Sequence, residues 1–289
     1  MKANNLACPI DGESLEHSDK QLTCINGHSF DIARQGYVNL LPVQHKRSKH
    51  PGDSKAMVLA RTRFLNTGVY LPIAEQLATT LAAKLPKNGH FSCVDAGCGE
   101  GYYLNTIADH FKVNHTDIVP SFIGLDISKS AIHEAAKRNK SINWVVGTNR
   151  QPPILKESVD LIVCVFGFQS FKGFNKILRL GGQIILVEPG PEHLKELREI
   201  AYSKIKETEP TSLAGALNEG FKLVSEKMLH FKTAAIANAP LNDLLMMTPH
   251  FFRASKEGKD AAAKLDSLCL SVDIVFRTLE KTEGRDLST

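Results

Sequence analysis

No apolar run in this chain is long enough to cross a bilayer; the longest, such as VDLIVCVFGF around Asp160, are far too short. The N-terminal MKANNLACPIDG has no apolar core of the kind a signal peptide needs, so none is expected. Six cysteines in 289 residues are too few for a disulfide scaffold. Four of them, Cys93, Cys98, Cys164 and Cys269, fall in apparent core strands and turns, which suits reduced thiols and a cytoplasmic protein. There is no internal repeat and no low-complexity tract. What remains is ordinary globular composition, 43% hydrophobic and 23% charged, enough for one large domain or two smaller ones.

Acidic residues are scarce in one stretch. Between Arg34 and Arg63 the chain carries seven cations (Arg34, Lys46, Arg47, Lys49, Lys55, Arg61 and Arg63) against Asp53 alone, a local excess of six on a chain of net charge +4. The remainder is therefore slightly acidic. A basic strip on a near-neutral body fits either a polyanion partner or a solvated connector.

Glycines and acids recur where they matter. After Pro86, short apolar runs alternate with helical patterns: FSCVDAGCGEG, YYLNTIADHF, FIGLD, KSAIHEAAKRN, NWVVG, VDLIVCV, then a helix near 172–179 and GGQIILVEP. That alternation predicts a parallel sheet covered by helices on both faces. Upstream, Ser54 is placed to cap a helix over 55–65, and a second helix fits 70–85. Downstream, a helix is expected at 191–207, strands near 220–230 and 269–279, and helical segments near 240–247 and 256–266.

The loop Val94-Asp95-Ala96-Gly97-Cys98-Gly99-Glu100-Gly101 lies at a strand-to-helix junction. Its G-x-G-x-G spacing is not the G-x-G-x-x-G of a dinucleotide site. Asp95 and Glu100 would repel a pyrophosphate and welcome a cationic ligand. S-adenosylmethionine, with a sulfonium and an ammonium, meets that requirement. Asp126, closing the next strand, is placed to accept hydrogen bonds from ribose hydroxyls. The same acid would also serve to cap the following helix beside Ser128.

The segment Cys8 to Asp31 reads Cys8-x2-Asp11-x12-Cys24-x3-His28. CPIDG and CINGH each resemble a turn aiming two ligands at one point, with bends at Gly12 and Asn26-Gly27. A carboxylate is an accepted zinc ligand, so Cys8, Asp11, Cys24 and His28 can form a tetrahedral set, softer affinity being the expected cost of Asp11. The other reading is a metal-free hairpin held by Leu15, Leu22, Ile25 and Phe30.

Together these segments resemble the class I, Rossmann-like S-adenosylmethionine-dependent methyltransferases, an α/β fold with a seven-stranded, mainly parallel sheet whose last strand is antiparallel. GYVNLLPVQHKRS (36–48), PGDS (51–54), ARTRFLNTGVY (60–70), GCGEGYY (97–103), PGPEHLKEL (189–197) and MTPHFFR (247–253) carry a closer likeness. They resemble the 23S rRNA (guanine-N1) methyltransferase family, in its Gram-negative-type branch, which joins an N-terminal zinc-ribbon-like module to the methyltransferase domain. The resemblance implies three parts: a metal module at 1–35, a basic loop and helical linker at 36–85, and the methyltransferase domain at 86–289. It implies cofactor contacts from Tyr70, Gly99, Glu100 and His193, beside Asp95, Gly97 and Asp126. It also implies RNA contacts from Lys46, Arg47, Lys49 and Arg61, a hairpin of 23S ribosomal RNA as partner, and a homodimer; no membrane partner is expected.

The chain departs from the family pattern twice. Asp11 stands where a cysteine is expected, and FGFQSF (166–171) stands where a proline-cysteine pair is expected, near the target-base pocket. Two other readings stay open: a small-molecule methyltransferase for which the basic strip is incidental, and, motivated by the second departure, an RNA-binding protein of this fold with impaired catalysis. Transfer from a sulfonium is an in-line displacement that needs positioning and no enzyme nucleophile. Glu100, Glu188 and His193 are candidates to take the guanine N1 proton.

Overall fold

The computed structural model describes residues 4–45, 51–86, 89–114, 117–201, 211–248 and 255–283. The N-terminal module is a three-stranded antiparallel sheet, β1 (Leu15–Ser18), β2 (Gln21–Cys24) and β3 (Ser29–Asp31). Leu15 and Leu22 are fully buried, together with Cys8 and Cys24, against Val38, Leu40 and Ile154. Phe30 is half-buried, but Ile25 is 88% exposed on the tip of its turn, so it takes no part in holding the hairpin. The module is tied down by Leu6 bridging Ile154 and by Ala7 N–H donating to Pro153 O at 3.0 Å.

The main sheet uses β4 (Tyr37–Asn39), β5 (Gly89–Ala96), β6 (Ile118–Asp126), β7 (Asn143–Val146), β8 (Val159–Val165), β9 (Leu178–Pro189), β10 (Phe221–Lys232) and β13 (Ser271–Lys281), in the order β10-β13-β9-β8-β5-β6-β7-β4. From β9 to β4 every pairing is parallel; β13 runs antiparallel to both neighbours. The seven expected strands are present with the last antiparallel, and β4 adds an eighth. An unpaired β7 would expose a row of backbone donors and acceptors. The YVN segment covers it, with Tyr37 opposite Trp144 and Leu40 N–H donating to Val146 O at 2.9 Å.

Helices α1 (Lys55–Leu65), α2 (Leu71–Ala82), α3 (Tyr102–Asn114), α4 (Lys129–Arg138), α5 (Phe171–Ile177), α6 (Lys195–Ala201) and α7 (Ala214–Asn218) connect the strands. Between β10 and β13 lie a short ladder, β11 (Ile236–Ala237) with β12 (Ser267–Leu268), and helices α8 (Asn238–Met247) and α9 (Lys256–Ala263). Ser54 caps α1, its Oγ accepting from Met57 N–H at 3.3 Å, and Ser128 caps α4 in the same way through Ala131. α2, α3 and α4 bury Leu77, Leu81, Ile107, Phe111, Ile132 and Ala135 in one core. Strands β5, β8 and β9 carry apolar residues on both faces, as strands covered on both sides must. The strand order reverses between β5 and β8, and in such sheets ligands bind at the carboxyl ends beside that switch.

Candidate functional site

Two adjoining cavities open at that switch. The first, about 440 Å³, is lined by Gly97 to Glu100, Tyr102, Tyr103, Asp126 and Ile127, by Gly147 to Arg150, and by Val165 to Phe168. The second, about 630 Å³, is lined by Tyr70, Gln169, Glu188, Gly190, His193 and neighbouring residues. Asp53, Arg61, Phe166, Gly167 and Met247 border both.

The glycine loop shapes the first cavity. Gly97, Gly99 and Gly101 have φ of +93°, +57° and +82°, a region where a side chain is strained. A Cβ on Gly101 would fall 2.6 Å from the buried ring of Trp144. Asp126 holds the loop from the neighbouring strand: its Oδ2 accepts from Gly99 N–H at 2.9 Å and its Oδ1 from Ser128 N–H at 2.7 Å. It therefore both caps the helix turn and faces the cavity, and burial pushes its carboxyl up.

Glu100 Oε2 accepts from Tyr102 N–H at 2.9 Å, with Arg138 3.6 Å from its other oxygen. Burial pushes Glu100 up as well, and the Arg138 charge opposes this. Asp95 stands behind the loop, outside the cavity lining, 1% exposed. Burial first, then the charges of Asp126 and Glu100, push it up to about 8. Asp95 Oδ1 and Glu100 Oε1 are buried without a hydrogen-bond partner among the described residues. Buried acceptors without a hydrogen-bond partner call for a donor, and two acids at the mouth, Glu100 and Asp126, with Asp95 behind them, call for a positive one. S-adenosylmethionine fits that requirement, with Asp126 free to accept further hydrogen bonds at a ribose.

The PGDS loop closes one side. A Cβ on Gly52 would lie 2.9 Å from Ile127 Cγ2 and Ser128 Cβ, so only glycine packs there. Ser128 Oγ donates to Asp53 O at 2.8 Å. Arg61, expected among the RNA contacts, is drawn inward: it pairs with Asp53 and donates to Met247 O at 3.3 Å. Arg63 pairs with Asp243 on α8. Lys46, Arg47 and Lys49 lie outside the described residues.

The second cavity has an aromatic wall. Tyr70 ends the FLNTGVY run at the start of α2 and is buried beside Phe64, with ring centroids 5.1 Å apart. Its hydroxyl lies 3.3 Å from His193 Nε2. Asp273 N–H donates to His193 Nδ1 at 3.4 Å, which leaves the ring hydrogen on Nε2, facing Tyr70 Oη. Phe166 stacks on His193, centroids 6.0 Å apart and planes within 19°. It does so from a φ of +51°, a costly conformation for a bulky residue, and the strain sits between the two cavities. Tyr70 and His193 thus come together although 123 residues separate them.

Sequence reasoning did not single out Thr148, Asn149 and Arg150, which follow β7 and line the first cavity. Asn149 Nδ2 donates to Phe168 O at 2.9 Å, and Arg150 lies 4.7 Å over the Phe168 ring. Their position just past a strand's carboxyl end was the signal available. Arg277, far along β13, gave no local signal; it supports Glu188 from below with a 2.9 Å ion pair.

In the N-terminal module the four expected ligands converge. One donor atom from each of Cys8, Asp11, Cys24 and His28 lies within 4.8 Å of the other three. Cys8 Sγ and Cys24 Sγ are 3.6 and 3.4 Å from His28 Nδ1; Asp11 Oδ2 is 3.5 Å from Cys24 Sγ and 2.9 Å from His28 Nδ1. Zinc bonds of 2.0 to 2.3 Å at tetrahedral angles imply ligand separations of about 3.3–3.8 Å, so three of these four edges already fit. Asp11 is oriented by Asn26 Nδ2 and Glu13 N–H, each donating to it at 3.0 Å, and the same two bonds hold its carboxyl below the usual range. These residues suit a zinc ion.

Comparison with known proteins agrees with both halves. The zinc-ribbon family described as "RlmA, N-terminal" matches residues 6–49, and the family described as "Methyltransferase domain" matches residues 93–182. The chain is 30% identical over 246 residues to the 23S rRNA (guanine(748)-N(1))-methyltransferase of Streptomyces fradiae, covering 84% of each chain. Two proteins whose names assign the 23S rRNA (guanine-N(1)-)-methyltransferase activity provisionally are also similar. One, from Micromonospora griseorubida, is 36% identical over 67% of this chain and 68% of its own; the other, from Bacillus subtilis strain 168, is 27% identical over 92% and 94%.

Proposed function

The chain belongs to the 23S rRNA (guanine-N1)-methyltransferases, and from that premise we propose that it methylates N1 of a guanine in a hairpin loop of 23S ribosomal RNA. The observation that carries the reading is the pair of abutting cavities: one ringed by Asp126, Glu100 and the glycine loop, the other an aromatic chamber sharing Phe166 and Arg61 with it.

S-adenosylmethionine supplies an electrophilic methyl group on a sulfonium. Asp126 holds the ribose, and backbone at Gly97 to Gly99 lets the nucleoside approach. Glu100 and Asp95 favour its positive charge. The second cavity takes the target base, and Tyr70, Phe166 and His193 exclude water from its wall. An RNA loop offers a base that is already weakly stacked, which lowers the cost of swinging it in.

The N1 proton goes to a carboxylate on the wall or to water ordered there. Glu188 and Asp53 line the base cavity, whereas Glu100 lines only its neighbour. His193, accepting at Nδ1 from the backbone, serves better to hold Tyr70 than to take a proton. Cys8, Asp11, Cys24 and His28 would hold zinc and keep the module rigid as an RNA-facing platform. Lys46, Arg47 and Lys49 would meet phosphates, and a homodimer would join two such platforms around the RNA.

Mass mapping of large-subunit RNA from cells with and without the gene tests the reading. The expected result is one guanine that carries a methyl on N1 only when the gene is present; its position also decides between the branches. An unchanged map, with purified enzyme transferring tritiated methyl groups to small amines instead, would replace this reading with a small-molecule one.

A further inference from the structure

Gln169 lines the base cavity from the FGFQSF segment, and the charge beneath it fixes how its amide must point. Its Nε2 donates to Glu188 Oε1 at 2.8 Å. Glu188 Oε2 accepts from Arg277 Nη1 at 2.9 Å, and Arg277 Nε donates to Glu226 Oε2 at 2.7 Å. Glu188 and Arg277 are 6% and 7% exposed. Ion-paired to the Arg277 guanidinium, Glu188 offers the amide only acceptor oxygens. The amide therefore turns its NH2 group toward Glu188, since the flipped form would press two oxygens together away from water. The end left for a ligand is the carbonyl, Gln169 Oε1, an acceptor.

Guanine offers two neighbouring donors on its Watson–Crick edge, N1–H and the N2 amino group. Adenine has an acceptor at N1 and only a C–H at position 2. The following step rests on the guanine-N1 reading above. Methyl transfer takes place in the ring plane at N1, where the proton was, so that position must be open in the transition state. The N2 amino group beside it remains a donor before, during and after the transfer. We propose that Gln169 Oε1 accepts a hydrogen bond from the N2 amino group of the target guanine, and that the Arg277–Glu188 pair is the positioning device that keeps this oxygen turned to the base. Gln169 then selects guanine over adenine without occupying the reacting atom.

The test uses two otherwise identical hairpin transcripts, one with guanosine and one with inosine at the position that the wild-type enzyme methylates. Inosine keeps N1–H and lacks only the N2 amino group. The full-length wild type is expected to prefer guanosine in kcat/KM by roughly tenfold to hundredfold, the usual effect of leaving one buried acceptor unpaired. Q169A is expected to be slower on guanosine and to lose the preference, the two transcripts agreeing within about twofold, while its affinity for S-adenosylmethionine stays at the wild-type value. Q169M keeps the stem without the acceptor and gives the same ratio test should Q169A fold poorly. E188Q, whose amide can donate as well as accept, frees the Gln169 amide and lowers the ratio in part. An undiminished guanosine preference in Q169A and Q169M overturns the assignment. A wild type that labels neither transcript at N1 overturns the parent reading, and this one with it, and is told apart by that missing product.

Discussion

The zinc module and the glycine-loop cavity both gather acidic or thiol groups, and they arrange them in opposite ways. In the module, four donor atoms crowd within 4.8 Å of one another around a single point. At the cavity and just behind it, Asp95, Glu100 and Asp126 belong to two strand ends and a helix start; backbone N–H groups hold Glu100 and Asp126, and among the described residues Asp95 Oδ1 and Glu100 Oε1 have no hydrogen-bond partner. Mutual repulsion is relieved in the first case by one small divalent ion, in the second by an extended organic cation. The spacing of the acids thus reports the size of the positive partner.

The largest effect expected from breaking this contrast is at Asp126. D126A removes the acceptor proposed for the ribose and also frees the Gly99 and Ser128 N–H groups that it holds. Hydrogen bonds to a charged group are worth about 1.5–3 kcal/mol each. Calorimetry should therefore show S-adenosylmethionine binding weakened about a hundredfold or more, with zinc content untouched. A loss under about threefold would mean that Asp126 merely caps its helix.

Removing the metal should act on the other region. C24A is expected to lower zinc content from about one per chain to near zero and to weaken RNA binding by about tenfold. The cofactor site should feel little. The module rests on Pro153 and Ile154, and the same loop begins with the Gly147 to Arg150 segment of the cavity, so a change of up to about threefold in cofactor affinity is expected. A larger fall would join the two regions into one cooperative unit. D11C sharpens the contrast in the opposite sense: a softer ligand set should hold zinc longer against a chelator.

How far each region was legible follows from how local its residues are. The zinc set was visible because its ligands fall within 21 residues, at two turns whose bends at Gly12 and Gly27 the structure places in the left-handed region, with φ of +85° and +82°. The glycine loop and Asp126 were visible because consecutive strands carry them, and the start of helix α1 was visible because Ser54 caps it. The base cavity was not legible in the same way. Tyr70, Gln169, Glu188, His193 and Arg277 come from five separate segments, and nothing local in the sequence says that a glutamine at 169 meets an arginine at 277. Family resemblance supplies Tyr70 and His193, and the strand before FGFQSF brings that segment to the rim of the site; neither says which way the Gln169 amide turns, because FGFQSF departs from the family pattern. Arg61 belongs to the basic strip by sequence, and its ion pair with nearby Asp53 and its bond to distant Met247 O set it at the border of the two cavities, which the strip alone does not tell. β4 escaped because three residues are too short a run to read as a strand.

The effect at Asp95 is a matter of sign. In the free protein burial, with Asp126 and Glu100 nearby, pushes this carboxyl up to about 8, whereas an unfolded chain would release the proton near the ordinary value of about 3.9. Between those two values the folded state keeps a proton that the unfolded state has lost. Its contribution to stability is complete below the lower value and disappears as pH rises through the upper one, so the free protein should melt at progressively lower temperature from pH 5 to pH 8. A bound cation reverses the preference by favouring the ionised carboxylate. S-adenosylmethionine affinity should then rise with pH over pH 6 to 8, by at most about tenfold per unit, and level off above. D95N should flatten both profiles while the zinc module keeps its metal across the same range. Melting and binding curves that keep their slopes in D95N would assign the pH dependence to another group and leave Asp95 as a buried structural acid.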